Sequence, residues 1–158
     1  MKINICFNKN NIYLNNYINT NIDNGDEYLK CDLEDLSAIV DNGEAEEILA
    51  INVLNYVSHK KLKKTVLNWY KKLSYNGILT IYFLDFIEIC RLITVGSISY
   101  DEAKNLLFGI QDEENEFFKS GISLLELKSI FEEVNGRIES CKKDGIYSLI
   151  KVRRVYER

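Results

Sequence analysis

Few side chains in this sequence have the chemistry to react, and their spacing limits what they can do together. His59 is the single histidine, so any imidazole base must be His59. It follows Ser58 at the start of a helical stretch, where a solvated first-turn residue is the simpler reading. Asp32 has no second carboxylate at a defined spacing, which paired acid–base work requires; it reads more simply as a cap for the "LEDL" segment. Tyr13, Tyr17, Tyr56 and Tyr70 could line a pocket, although aromatic residues at these spacings usually fill cores. Lys119 and Ser120, in "FKSG", could hold a phosphate, and a turn leading into a capped helix explains them equally well. Cys6, Cys31, Cys90 and Cys141 are widely spaced, with no CxxC pair. With one histidine they make neither a zinc site nor a disulfide framework. They read as buried free thiols in a reducing, cytoplasmic setting. No nucleophile–base pair emerges.

The chain has 158 residues, 46% hydrophobic and 28% charged, which suits one soluble domain over residues 1–158. A net charge of −4 gives no electrostatic reason to bind nucleic acid or an anionic membrane. The lysines of "HKKLKK" (59–64) fit the polar side of an amphipathic helix. No apolar run spans a bilayer, and "MKINICFNKNN" turns polar too soon for a signal peptide. Proline is absent, and nine of the first 24 residues are asparagine; an AT-rich genome is the plain explanation.

These residues must be positioned by alternating strands and helices. "INICF" (3–7), "YINTNI" (17–22) and "EYLKCD" (27–32) read as strands, and "EEILAIN" (46–52) as a buried one. A helix follows from Ser58, a good N-cap, to about Leu73. Leu62, Val66, Trp69 and Leu73 form its apolar face, so Trp69 reads as core. "YNG" (75–77) ends it, with Gly77 expected in the left-handed conformation. "ILTIYFL" (78–84) is continuous enough for a central parallel strand. "DFIE", "SYDE" and "SLLE" mark three helix starts, the last two as capping boxes. Leu124, Leu127, Ile130, Phe131 and Val134 line the last helix. "DG" (144–145) joins a C-terminal hairpin over 137–154. The expectation is a three-layer α/β fold: about seven mostly parallel strands with an antiparallel hairpin at one edge. Ligands of such sheets bind at the strands' carboxyl ends, where strand order reverses. "CFN" (6–8) ends the first strand.

In order along the chain, "CFN", "NYINTN" (16–21), Asp32-Leu33, "EEILAINVLNY" (46–56), "WYKKLSYNG" (69–77) and "FKSGI" (118–122) carry a resemblance. They resemble the "GCG", "GYINVD", "DL", "DEIYAIHVLEH", "WYRVLKPGG" and "HKSGF" segments of class I S-adenosylmethionine-dependent methyltransferases, especially small ones of the sugar and glycan type. The resemblance covers nearly the whole chain and implies a Rossmann-like fold with S-adenosylmethionine as cofactor. It carries the cofactor positions onto Cys6, Phe7, Asn8, Asn21, Asp32 and Asn52.

The departures fall where that family does its chemistry. Glycines in the first turn let backbone approach the cofactor closely; Cys6, Phe7 and Asn8 stand there instead. The carboxylate that accepts from both ribose hydroxyls is matched by Asn21, with Asp23 able to substitute after a register shift. Asn52, Asn55, Tyr56 and Phe118 replace further polar positions, while Asp32, near the adenine in the family, is kept. About nine residues separate the first two strands, too few for the usual helix. The resemblance then implies a methyltransferase homologue for a small-molecule or sugar acceptor with a decayed cofactor site. The alternative is a non-catalytic pseudo-enzyme that forms a homodimer or scaffolds an active methyltransferase. A third outcome is a pocket re-used for another ligand. Phe7 decides how much space remains: pointing into the pocket it blocks, turned into the core it leaves room.

Overall fold

The computed structural model describes residues 1–7, 12–21, 28–112 and 116–156. Seven strands form one sheet: β1 (Lys2–Ile5), β2 (Ile18–Asn21), β3 (Leu29–Lys30), β4 (Ala45–Ile51), β5 (Leu73–Leu84), β6 (Arg137–Asp144) and β7 (Tyr147–Arg153). Their order is β3-β2-β1-β4-β5-β7-β6. Only the pairs β5–β7 and β6–β7 are antiparallel. The hairpin turn is made at Gly145, with φ 61°. The expected neighbours β4 and β5 pair in parallel, Ile48 against Leu79 and Ala50 against Ile81.

Among the described residues, four α-helices accompany the sheet: α1 (Leu62–Lys72), α2 (Phe86–Thr94), α3 (Tyr100–Phe108) and α4 (Leu124–Glu133). Alternate strand residues Ile3, Ile5, Ile48, Ala50, Leu79, Ile81, Phe83, Ile150 and Val152 are fully buried on one face. They join one core with Leu62, Val66 and Trp69 of α1 and Leu127, Ile130 and Phe131 of α4. Trp69 is fully buried, and its Nε1 donates to the Leu33 carbonyl at 2.9 Å. The other face is different. Leu49, Ile51, Ile78, Thr80, Tyr82 and Leu149 alternate with the buried set and stay half-exposed. The connections that would carry a further helical layer, 6–17 and 22–28, hold no helix among their described residues. Of the three expected layers, the sheet and the α1/α4 layer are thus present among the described residues. No described helix is long and apolar enough to cross a membrane.

Several local expectations are corrected. Lys61, not Ser58, precedes α1, and it makes no side-chain cap; Ser58 instead accepts the Lys61 N–H through its carbonyl at 2.8 Å. Helix α1 stops at Lys72, and Leu73 already pairs with Ala45, so β5 starts five residues before Ile78. Asn76, not Gly77, takes the left-handed conformation, with φ 63°. Gly77 is needed for closeness instead: a Cβ there would lie 2.8 Å from the carbonyl oxygens of Ala45 and Ser74. The Ser99–Glu102 capping box is complete. At Ser123 only the hydroxyl half forms, accepting from the Glu126 N–H. The lysine cluster is a solvated helix surface, with Lys61 paired to Glu34 at 2.7 Å and Lys63 to Glu133 at 2.5 Å.

Candidate functional site

Strand order reverses between β1 and β4, since the chain runs outward to β3 before returning beside β1. The crevice beyond their carboxyl ends is where an open α/β sheet binds ligands. A cavity of about 310 Å³ opens there, extending to the ends of β5 and β7. Ile5, Ile51, Leu84, Ile12 and Leu14 give its apolar wall, Tyr56, Phe118 and Tyr147 its rings, and Asn4, Asn52 and Asn55 its amides. No charged side chain is among the described lining residues.

Each wall is fixed locally. Beyond β1, the Cys6 N–H still donates to the Thr20 carbonyl at 3.0 Å, so the chain keeps the strand direction past Ile5, and Phe7 joins the core. Cys6 and Phe7 are both buried. The Phe7 ring stacks on Tyr56 with centroids 4.0 Å apart and planes 15° apart. Tyr56 closes a 3₁₀ turn (Leu54–Tyr56) after β4, and its ring meets that of Phe118 in a T-shaped contact with centroids 5.2 Å apart. Three rings therefore cross from the end of β1 to the loop before α4. Phe7 itself does not line the cavity; it has turned into the core, and space remains beside the stack. Tyr147 is backed in turn by Tyr82, stacked at 5.0 Å.

The amides divide by use. Asn55 holds the end of β5: its Nδ2 donates to the Leu84 carbonyl and its Oδ1 accepts the Leu84 N–H, each at 3.3 Å. Its backbone carbonyl accepts from Lys119 N–H at 2.8 Å, and the Ser120 hydroxyl donates to the Leu54 carbonyl at 3.4 Å. "FKSG" is therefore tied down over the 3₁₀ turn, with Ser120 buried and Lys119 exposed. Asn4 was not foreseen as a site residue. Its Nδ2 donates to Asn19 Oδ1 and to the Ile12 carbonyl, both at 2.8 Å, and Asn19 in turn holds both backbone groups of Leu14 at 3.0 Å. This clasp lays Ile12 and Leu14 on the cavity. The only advance signal was an asparagine at an otherwise apolar strand centre. Asn52 is unlike the others. It ends β4 with φ 54°, its backbone N–H donates to the Tyr82 carbonyl at 2.8 Å, and its exposed side chain bonds to no described residue.

The six positions carried over from the resemblance are dispersed. Asn52 lines the cavity; Cys6 and Phe7 are buried without lining it, Phe7 within the core cluster. Asn21 ends β2, where its carbonyl accepts the Cys31 N–H at 2.9 Å. Asp32 is exposed and accepts the Glu34 N–H at 2.8 Å, a local turn. Asn8, like Asp23, lies outside the described residues. His59 is exposed. All four cysteines are free thiols, Cys6 and Cys31 buried, Cys90 and Cys141 half-buried. Burial pushes the Cys6 thiol up to about 11, with Cys31 adding to the rise.

Solved structures share this fold at low sequence identity. The CurJ carbon methyltransferase superposes with a TM-score of 0.60 at 18% identity, over 89% of this chain and 42% of that one. An O-methyltransferase family protein from Burkholderia thailandensis gives 0.57 at 10% identity, over 84% and 36%. The 1,6-didemethyltoxoflavin-N1-methyltransferase of the same organism, solved with S-adenosylhomocysteine, gives 0.56 at 10% identity, over 89% and 62%. The fold is that of the class I S-adenosylmethionine-dependent methyltransferases. This methyltransferase-fold chain spans less than two thirds of the length of each of these three neighbours. These three proteins are named for oxygen, carbon and nitrogen methylation, so the methyltransferase fold by itself selects no acceptor. No family model and no curated protein matches the sequence.

Proposed function

We propose that this chain is a methyltransferase homologue, by resemblance of the small-molecule or sugar type, whose cofactor site has decayed so that transfer is weak or absent. The observation that carries the reading is the lining of the cavity at the β1/β4 reversal, which holds no charged side chain among the described residues. Phe7 has turned into the core and leaves that cavity open, yet Cys6 and Phe7 put side chains where a glycine turn would offer bare backbone. The cavity is a poor fit to S-adenosylmethionine. The cofactor brings a sulfonium, an ammonium and a carboxylate, while the described lining residues offer no charge to pair them. Burying unpaired charge is costly. Asn21 supplies an amide where a ribose carboxylate would give charge-assisted bonds of roughly twice the strength.

Losing that charged partner costs roughly 1.5–3 kcal/mol, about one to two decades of affinity. Calorimetry at tens of micromolar protein should show no saturable heat with S-adenosylmethionine or S-adenosylhomocysteine. Saturable micromolar binding would return the chain to the active methyltransferases. The combined variant Cys6→Gly, Phe7→Cys, Asn8→Gly, Asn21→Asp, checked for folding, should gain binding. A folded variant that still binds nothing favours the second reading, a non-catalytic partner protein acting as a homodimer or beside an active methyltransferase. The half-exposed apolar face of Leu49, Ile51, Ile78 and Leu149 favours that reading as well.

A further inference from the structure

We infer that the cavity at the ends of β1, β4 and β5 is a binding site for an uncharged, planar, ring-containing small molecule with a hydrogen-bonding edge. The inference rests on the reading that this cavity does not take the cofactor.

Its size is sufficient: about 310 Å³ lies at the low end of small-molecule pockets, which run from about 300 to 1,000 Å³. Planarity follows from the walls. Tyr56, Phe118 and Tyr147 line the cavity with aromatic rings, and two of the three are held by stacking on a second ring, Tyr56 on Phe7 and Tyr147 on Tyr82. Rings fixed in this way lose little freedom when another ring packs on them. Neutrality follows from the absence of any charged side chain among the described lining residues; an ion entering would be stripped of water with no described side chain of the lining to pair it. The hydrogen-bonding edge follows from Asn52. Asn4 and Asn55 spend their amides on backbone and on Asn19. Asn52 keeps an amide with both donor and acceptor capacity.

The test uses 7-methoxycoumarin, a neutral bicyclic fluorophore, with coumarin-3-carboxylate as the charged counterpart and caffeine as a second neutral probe. Fluorescence titration should saturate with 7-methoxycoumarin, caffeine should compete, and the carboxylate should bind at least tenfold more weakly. Asn52→Gly keeps the left-handed backbone and removes the amide, and should weaken binding about five- to tenfold. Ile51→Trp fills the cavity and should abolish binding, with circular dichroism showing an intact fold. Failure of both neutral probes to saturate at millimolar concentration would overturn the inference. So would equal binding of the carboxylate, or unchanged binding by a folded Ile51→Trp. Calorimetry with S-adenosylmethionine on the same sample separates the two readings. Cofactor binding overturns the decayed-site reading, whereas silence from both cofactor and probes overturns this inference alone.

Discussion

Cys6 shows what burial does to a single reactive group at the candidate site. Its thiol is held up to about 11 from an ordinary 9.0, so near pH 8 its thiolate fraction is about a hundredfold below that of a free cysteine. An aromatic disulfide reagent at pH 8 should label the half-buried Cys90 and Cys141 first, with Cys6 and Cys31 reacting only on unfolding. The same shift has a stability consequence. Above pH 9 the unfolded chain loses the Cys6 proton while the folded chain keeps it, so stability is full below pH 9 and falls towards pH 11. Cys6→Ala should flatten that alkaline decline in urea titrations; an unchanged slope would assign it to other groups. Trp69 is the matching case in the core. Fully buried, with its indole N–H on the Leu33 carbonyl, it should cost about 3–5 kcal/mol on replacement by alanine, and a loss under about 1 kcal/mol would contradict its burial. Trp69 was legible in advance because helical spacing alone places it on an apolar stripe. Asn4 and Asn19 were not. Their use depends on the pairing of Asn4 with Asn19 across β1 and β2, and register is absent from a linear reading. The asparagine excess therefore looked like composition alone. Phe7 was identified as decisive, but its turn into the core depends on a ring 49 positions away along the chain.

Element boundaries were less legible than elements, and the α1–β5 junction shows why. "LSYNG" carries the marks of a helix stop, and the helix does stop, but the chain re-enters the sheet at once through Leu73. Asn76 takes the left-handed turn, and its N–H donates to the Arg154 carbonyl at 2.9 Å. Gly77 then passes against Ala45. The two residues exchanged the roles expected of them, because asparagine tolerates positive φ whereas only glycine tolerates two carbonyl oxygens at 2.8 Å from its missing Cβ. Gly77→Ala should therefore destabilise by about 1–3 kcal/mol, as overpacking does. The change should be visible as a lower urea midpoint with an unchanged slope. A neutral effect would mean that the β4–β5 irregularity yields freely. Asp85 shows a second kind of boundary. It was legible as a cap, yet its buried carboxylate accepts from Ile87 N–H, Leu124 N–H and the Ser148 hydroxyl at 3.0, 3.3 and 2.7 Å. One side chain thereby ties the ends of β5 and β7 to the starts of α2 and α4, and tertiary partners of that kind leave no local trace in sequence.

At the scale of the whole molecule, one face of the sheet is packed and the other is half open. The short link between the first two strands was visible in the sequence. Its outcome was not, because a sheet of this order ordinarily carries helices on both faces. Sequence and solvent disagree on the open face: Leu49, Ile51, Ile78 and Leu149 are apolar, as a covered face would demand, yet they stay half-exposed. Adjacent residues of β4 separate the two sides. Ile48 is fully buried against the helices and pairs with Ile3 and Leu79. Leu49 points the opposite way, beside Asn4 and Thr80. Ile48→Lys would bury an unpaired ammonium among hydrocarbon and should prevent folding. Leu49→Lys lets a long side chain carry its charge into water and should cost no more than about 1 kcal/mol, within the range of surface changes. Urea denaturation of the two variants, with sedimentation of the parent chain at the same concentration, checks the contrast. Equal damage from both substitutions would show that Leu49 is covered in solution. A parent chain sedimenting as a dimer would then identify the cover as a second copy, and a monomer would place it in a further segment of the same polypeptide.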